Sequence, residues 1–371
     1  MSENQPYLDL LALRYIPGIG PVLAKTLVAY IGETGKIFST KKTHLQKIPG
    51  IGEKTIENLL RHATEVMNKA EVQWKDMEKK NIRVVHYLEE KYPKRLKQCT
   101  DGPLLLFYKG KTDFNHPRTL AVVGTRRMTD YGRKMIHKLV EDLQVSDIQF
   151  ISGLAFGVDA CVHQECVKKN IQNLAVLGHG LHSLYPPEHR KLAEKIQENG
   201  AILSEYTTDD DFNKENFPER NRVIAGMADA TIVIETGLKG GSIITAHLAA
   251  GYHRDIMALP GRAGDPLSEG CNALIKENLA AMIENAEDVK KLMGWQNESP
   301  SKARVIQRQL FVELEPEEKT IMQVLYQRET LSIDDLSSAS QLSIGETAVN
   351  VLQLELKGLV TQLPGSIVKL S

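Results

Sequence analysis

The run from Phe217 to Ala225 reads F-P-E-R-N-R-V-I-A and holds the densest chemistry in this 371-residue chain. Pro218 suits the first position of a helix, where its missing N–H would have no partner anyway. Glu219, Arg220, Asn221 and Arg222 then fall in the first turn. A helix N-terminus already carries partial positive charge, so two arginines there are electrostatically out of place unless an anion sits among them. The competing reading is an Arg–carboxylate pair with Glu219 or a nearby acid. Two Arg, one Asn and an exposed helix start together favour a phosphate site. Phe217 has two readings of its own. It is either a staple packed on the helix that follows or, with Lys214 three residues earlier, a face on which a base stacks.

Two further segments offer anion chemistry. Gly124-Thr125-Arg126 follows the apolar run Ala121–Val123; it brings a glycine that permits close backbone approach, a hydroxyl, and a bidentate guanidinium fork. Lys239-Gly240-Gly241-Ser242 opens a second helical pattern, where the amides of Gly241 and Ser242 make a cradle with Lys239 nearby. Plain turn chemistry accounts for either loop taken singly. The P-loop spacing is absent, and Gly178-His179-Gly180 lacks the third glycine of a dinucleotide fingerprint. Cys161, His163 and Cys166 do not share one helix face, so no metal site is expected. Asp159 and His163, four apart, read as a local contact or a packed histidine rather than an acid–base pair.

These residues need a frame. Short β-type runs occur at Ile82–Tyr87, Leu104–Tyr108, Leu120–Val123, Ile148–Ile151, Leu174–Leu177, Ala201–Leu203, Thr231–Glu235 and Asp255–Leu259. From the third onward most are followed by a helical pattern, which predicts an α/β domain over residues 80–294 with a parallel sheet covered on both faces. Such sheets bind ligands at the carboxyl ends of their strands. Gly124, Gly153, Gly178, Gly180, Gly240, Gly241 and Gly261 gather at those ends.

Residues 1–75 repeat a short pattern: Ile16-Pro-Gly-Ile-Gly20 and Ile48-Pro-Gly-Ile-Gly52 each precede a helical stretch. The pattern looks like a tandem helix-hairpin-helix, in which glycines let backbone amides approach a DNA phosphate. A small helical bundle that keeps the turns without the ligand reads equally well. Residues 295–310 (WQNESPSKARVIQRQL) read as a linker. Residues 311–371 show three helical patterns and a strand pair around Pro364-Gly365; the Leu336, Leu342, Val349, Leu352 and Leu356 spacing looks like a winged helix. Nine acids against four bases there argue for a protein-contact surface rather than a groove reader.

Composition sets the outer limits. Hydrophobic content of 42% and charged content of 25% fit a globular protein of two or three domains. No apolar run reaches the ~18 residues of a membrane span, and MSENQPYLDL lacks a signal-peptide pattern, so a cytoplasmic protein is expected. Four cysteines suggest no disulfide framework. A net charge of −1 gives no global nucleic-acid signal, so any such binding must come from a local patch.

At this point the chain resembles a known family. Val123-Gly-Thr-Arg126, Ile151-Ser-Gly-Leu-Ala-Phe-Gly-Val-Asp-Ala160, Leu177-Gly-His-Gly with Tyr185-Pro186, Ser204-Glu205, Phe217 through Gly226, Gly240 through Ala246 and Leu259-Pro-Gly261 occur in the order seen in the DprA (Smf) family of bacterial DNA-processing proteins. The resemblance covers about residues 82–285. It implies an extended Rossmann-like sheet with flanking helical and winged-helix modules, a homodimer, and single-stranded DNA binding. It also implies loading of RecA during natural transformation, in the presence of the single-strand-binding protein; no cofactor is expected, and no catalysis, because the P-loop spacing and a hydrolase glutamate are both missing. Carried over by position, the DNA site falls on Arg126, Lys214, Phe217, Arg220, Asn221 and Arg222; the reading of the loops adds Gly124, Thr125, Gly153, Lys239, Gly240, Gly241 and Ser242. Thr125 replaces the usual Ser. Tyr206–Phe212, with three consecutive acids, departs from the family pattern and puts the path of the strand there in doubt. The enzyme alternative is a nucleotide N-glycoside hydrolase of the lysine-decarboxylase-like LOG type; its signature glutamate is missing from Lys239–His247.

Overall fold

The computed structural model describes residues 4–210, 212–295, 314–328, 330–357, 359–363 and 367–370. The chain divides into two compact units, Met1–Pro300 and Ser301–Ser371.

The first unit opens with α1 (Gln5–Arg14), α2 (Pro21–Ile31), α3 (Lys42–Leu45) and α4 (Glu53–Lys79). Both Pro-Gly-Ile-Gly turns join helix to helix, with Gly18 and Gly50 at φ of 86° and 81°, where a side chain would be strained. Ile16, Ile19 and Ile48 of the turns are buried, so the repeat encodes packing as well as shape. α4 runs through residue 75 to Lys79.

Strands and helices then alternate: β1 (Arg83–His86), α5 (Lys94–Lys97), β2 (Leu105–Gly110), β3 (Thr119–Val123), α6 (Asp130–Leu143), β4 (Gln149–Ser152), α7 (Val158–Lys168), β5 (Asn173–Leu177), α8 (Arg190–Ile196), β6 (Gly200–Ser204), α9 (Asn216–Met227), β7 (Ala230–Val233), α10 (Gly241–Gly251), β8 (Asp255–Ala258), α11 (Glu269–Lys276), β9 (Ala281–Met282) and α12 (Ala286–Leu292). They form one nine-stranded sheet in the order β1-β2-β6-β5-β4-β3-β7-β8-β9. Strands β3 to β9 are mutually parallel, and the central ones are buried on both faces: Leu120 and Val122 of β3 enter one core, Ala121 and Val123 the other. All eight predicted strand runs are present. The departures are an antiparallel edge, β1 and β2, and the two-residue β9, too short to leave a pattern. Trp295, placed in the linker by its polar neighbours, packs partly buried against the second core with Arg118 over its ring; residues 296–310 lie outside the described residues.

The second unit has α13 (Pro316–Arg328), β10 (Thr330–Ser332), α14 (Ile333–Ser340), α15 (Ile344–Leu356), β11 (Val360–Leu363) and β12 (Ile367–Leu370), with sheet order β10-β12-β11. This is a winged-helix arrangement. Ser343 and Glu346 close a capping box at the start of α15. The core register differs from the one read off the spacing. Val349 and Leu352 are 57% and 53% exposed, while Val351 and Leu354 are buried. Several leucine registers fit one short helix, and the spacing of apolar residues alone does not choose among them. Pro364 and Gly365 lie outside the described residues.

Candidate nucleic-acid interface

From β3 the chain builds outward in one direction through β4, β5 and β6, and in the other through β7, β8 and β9. The crevice between the ends of β3 and β7 is therefore the sheet's topological switch point, where open α/β sheets bind ligands. A cavity of about 290 Å3 lies there. Its lining includes Gly124, Thr125 and Arg126 after β3, Asp159 on α7, Phe217, Arg220 and Asn221 on α9, and Gly240, Gly241 and Ser242 at the start of α10. Three segments singled out for phosphate chemistry converge on one cleft.

The loop carrying Arg126 is fixed from beneath. The Thr125 amide donates to the Glu235 carbonyl at 2.7 Å; the buried Glu235 carboxylate accepts the Thr129 amide at 2.8 Å and the Thr129 hydroxyl. Gly157, at φ 77°, lies directly under this loop: a Cβ there would meet the Thr125 carbonyl oxygen at 2.3 Å. What approaches Gly124 closely is the Val158 side chain, 2.5 Å from an added Cβ, so that glycine serves helix–strand packing. Arg126 itself is exposed on the cleft rim. Among the described residues it has no ion pair and no side-chain hydrogen bond.

On the cleft's α10 side, the Gly241 and Ser242 amides are the first of their helix and have no intrahelical acceptor. The Ser242 hydroxyl is buried and has no hydrogen-bond partner among the described residues. A buried hydroxyl without a partner is costly unless a ligand supplies one. Lys239 and Lys214 are exposed and stand outside the lining; Gly153 lies beneath it.

The two arginines of α9 correct the opening expectation. The helix starts at Asn216, so Pro218 is its third residue, still among the four amide positions that lack an intrahelical partner. Arg220 and Arg222 consequently stand in the second turn, and two residues apart on a helix they point to opposite sides. Arg220 is buried. Its Nη1 donates to the Gly153 carbonyl at 2.7 Å and to the Val176 carbonyl, and its Nε to Asn221 Oδ1 at 3.2 Å. It ties α9 to the ends of β4 and β5. Burial pushes the Asp159 carboxyl up, and the nearby Arg220 charge opposes that shift. Arg222 is not in the cleft: it pairs with Glu205 and donates to the Asp101 carbonyl. The Arg–carboxylate reading describes Arg222, and a structural strut describes Arg220.

Asp209 and Asp210, after β6, turn toward the helical module. Arg14 of α1 grips Asp210 through both terminal nitrogens at 2.6 and 3.3 Å; Asp209 takes Tyr15 at 3.0 Å and Lys69 at 2.9 Å. Two of the three acids thus fasten the helical module to the sheet; Asp211 lies outside the described residues. Phe217 is the second residue of α9, not the residue before it, so staple geometry is not available. Its ring meets Tyr185, Phe212 and the Arg220 guanidinium. Asp159 in the cleft lining, and Tyr185 and Phe212 against the Phe217 ring, are residues that sequence reasoning did not assign to the site. Asp159 and Tyr185 stood in quoted motifs, and Phe212 in the divergent loop, but nothing local announces that they meet.

A Rossmann-like sheet with a cleft at its switch point, a double-hairpin helical module and a winged helix define a class of nucleic-acid-handling protein. The chain belongs to the DNA recombination-mediator protein A family, DprA or Smf, whose model matches residues 83–294. The DprA winged-helix model matches residues 309–366, and the SAM-like helix-hairpin-helix tandem residues 9–65. Protein Smf of Synechocystis is 32% identical over 96% of both chains. The X-ray structure of DNA processing protein A from Streptococcus pneumoniae superposes with a TM-score of 0.62 at 28% identity, covering 78% of this chain and 98% of that one. That of Helicobacter pylori, reported for its single-stranded DNA binding mode, superposes with a TM-score of 0.52 at 30% identity over 57% of this chain and 95% of its own.

Proposed function

We propose that the chain binds single-stranded DNA at the switch-point cleft and, as a homodimer, passes it to RecA, working alongside the single-strand-binding protein on DNA taken up in natural transformation. The observation that carries the binding reading is the pairing of a free, exposed Arg126 with the unpartnered donors of α10 across one cleft. A phosphate between them receives a guanidinium fork, two amides and the Ser242 hydroxyl. Membership of a recombination-mediator family and the Helicobacter relative's single-strand binding support the same reading. Lys214, exposed and outside the lining, holds the backbone beyond the cleft in this reading. We assign no catalytic step: among the described residues the one carboxylate lining the cleft, Asp159, is buried beside Arg220 and is not set to activate water. Titration of single- against double-stranded DNA at several salt concentrations tests this reading. Preference for the duplex would sink it.

Phe217 contributes by stacking. Phe217→Ala is expected to weaken single-strand binding by roughly 1–3 kcal/mol with little change in salt dependence. Unaltered affinity in a well-folded variant would remove that role.

The winged-helix unit is not expected to contribute. Its Lys357, at the end of α15, is bound to the buried Glu318 at 2.6 Å. Removing residues 311–371 is expected to leave affinity within a factor of about three, because a net −5 offers no counterion release. A far larger loss in a truncated protein that still folds would overturn this.

A further inference from the structure

We propose that Tyr185 and Phe212 extend the cleft into a second stacking surface, which receives the nucleobases of the strand as it leaves past Phe217. This rests on the single-strand reading above and adds a site to it. The three rings come from separate segments: the loop after β5, the loop after β6, and α9. They meet pairwise with centroids 5.1, 5.6 and 5.8 Å apart and planes at 62°, 66° and 60°. An edge-to-face contact sets one ring's edge on its neighbour's face, and what the trio leaves uncovered shows as solvent exposure. Phe212 is 51% exposed and Tyr185 46% exposed. Two neighbouring aromatics held half in water are an unusual use of large apolar area.

The surface is held rather than loose. His179, buried behind it, donates from Nδ1 to the Gly180 carbonyl at 3.0 Å and accepts the Tyr185 amide at Nε2 at 3.1 Å. That pattern needs a neutral ring, and burial keeps its pKa below the usual histidine value. The same ring leans on Phe212 at 6.1 Å.

Chemistry selects the occupant. Phe217 belongs to both the cleft lining and the aromatic trio, so the two surfaces are continuous. Lys214, exposed, sits on the turn between Phe212 and Phe217, whose amide donates to the Lys214 carbonyl at 3.3 Å. Asp209 and Asp210 are drawn off to Lys69 and Arg14, which removes their charge from the path. Aromatic faces beside a lysine suit unpaired bases on a phosphate backbone, and every base offers a π-face, so the surface is indifferent to sequence. A duplex hides those faces.

The test measures binding of the full chain to a labelled dinucleotide and to a decathymidylate by fluorescence anisotropy. Tyr185→Ala and Phe212→Ala are expected to leave dinucleotide affinity within about twofold and to weaken the decamer about tenfold, with an unchanged salt slope. Tyr185→Leu and Phe212→Leu, which keep volume without the π-face, show the same pattern if stacking is the cause; melting curves identify a variant that merely misfolds. A decamer with abasic positions loses affinity for the parent but not further for the alanine variants. Equal decamer affinity in parent and folded variants overturns the second surface while leaving the cleft intact. Failure of the parent to bind the decamer at all overturns the single-strand reading instead.

Discussion

Arg220→Ala is expected to destabilise the first unit by roughly 3–5 kcal/mol, and to do so with or without DNA. The guanidinium is buried and donates to the carbonyls of Gly153 and Val176, so its loss leaves both buried acceptors short of a partner. It also leaves the buried Asp159 without the positive charge that opposes its desolvation. Denaturant unfolding measures the loss. Asp159→Asn in the Arg220→Ala background is expected to recover part of it, since the uncompensated carboxylate is then gone. A stable Arg220→Ala that has lost DNA affinity alone would show that Arg220 contacts phosphate directly, and the strut assignment would fall. Arg222→Ala strands the Glu205 carboxylate in the same way, and its effect on binding should follow its effect on folding.

The second large effect is acid sensitivity seated in His163. The ring is enclosed on α7, its Nδ1 donates to Asn173 Oδ1 at 2.8 Å, and Nε2 has no partner among the described residues. Burial lowers its pKa from 6.5 to about 4. The unfolded chain therefore binds the proton more readily than the folded one. The stability held by the neutral ring is complete above pH 6.5 and is lost as pH falls toward 4, by about 3 kcal/mol. Unfolding curves across that window should show the parent losing about that much more than His163→Gln. Equal pH dependence in the two proteins would mean that His163 titrates normally. Weakened DNA binding below pH 6 therefore has to be compared with stability before it is assigned to the cleft.

Much of this was legible in the residues. Apolar runs of three to six residues followed by helical patterns pointed to the parallel sheet, because strands buried on both faces are mostly apolar. The loops at Gly124–Arg126 and Gly240–Ser242 were singled out for anion chemistry, and the structure brings both into the lining of one cleft. The arginines of α9 were harder. Their roles depend on a helix start displaced by two residues, which rotates Arg222 toward Glu205 and Arg220 beneath Gly153. Local sequence does not fix a helix start that closely when Pro218 fits any of the first positions. The acids after β6 looked like an obstacle to DNA because their partners, Arg14 and Lys69, lie more than a hundred residues away. The aromatic trio was missed for the same reason: Tyr185, Phe212 and Phe217 are brought together by tertiary contact, and no spacing rule links them.

The central claim is that Arg126 neutralises a phosphate held in the switch-point cleft. The most direct test is the dependence of single-strand affinity on salt concentration for the parent and for Arg126→Ala. Loss of one phosphate contact should weaken binding for every sequence and lower the slope of log affinity against log salt by about 0.7. A folded Arg126→Ala with the parent's slope and affinity would place the phosphate elsewhere and contradict the account.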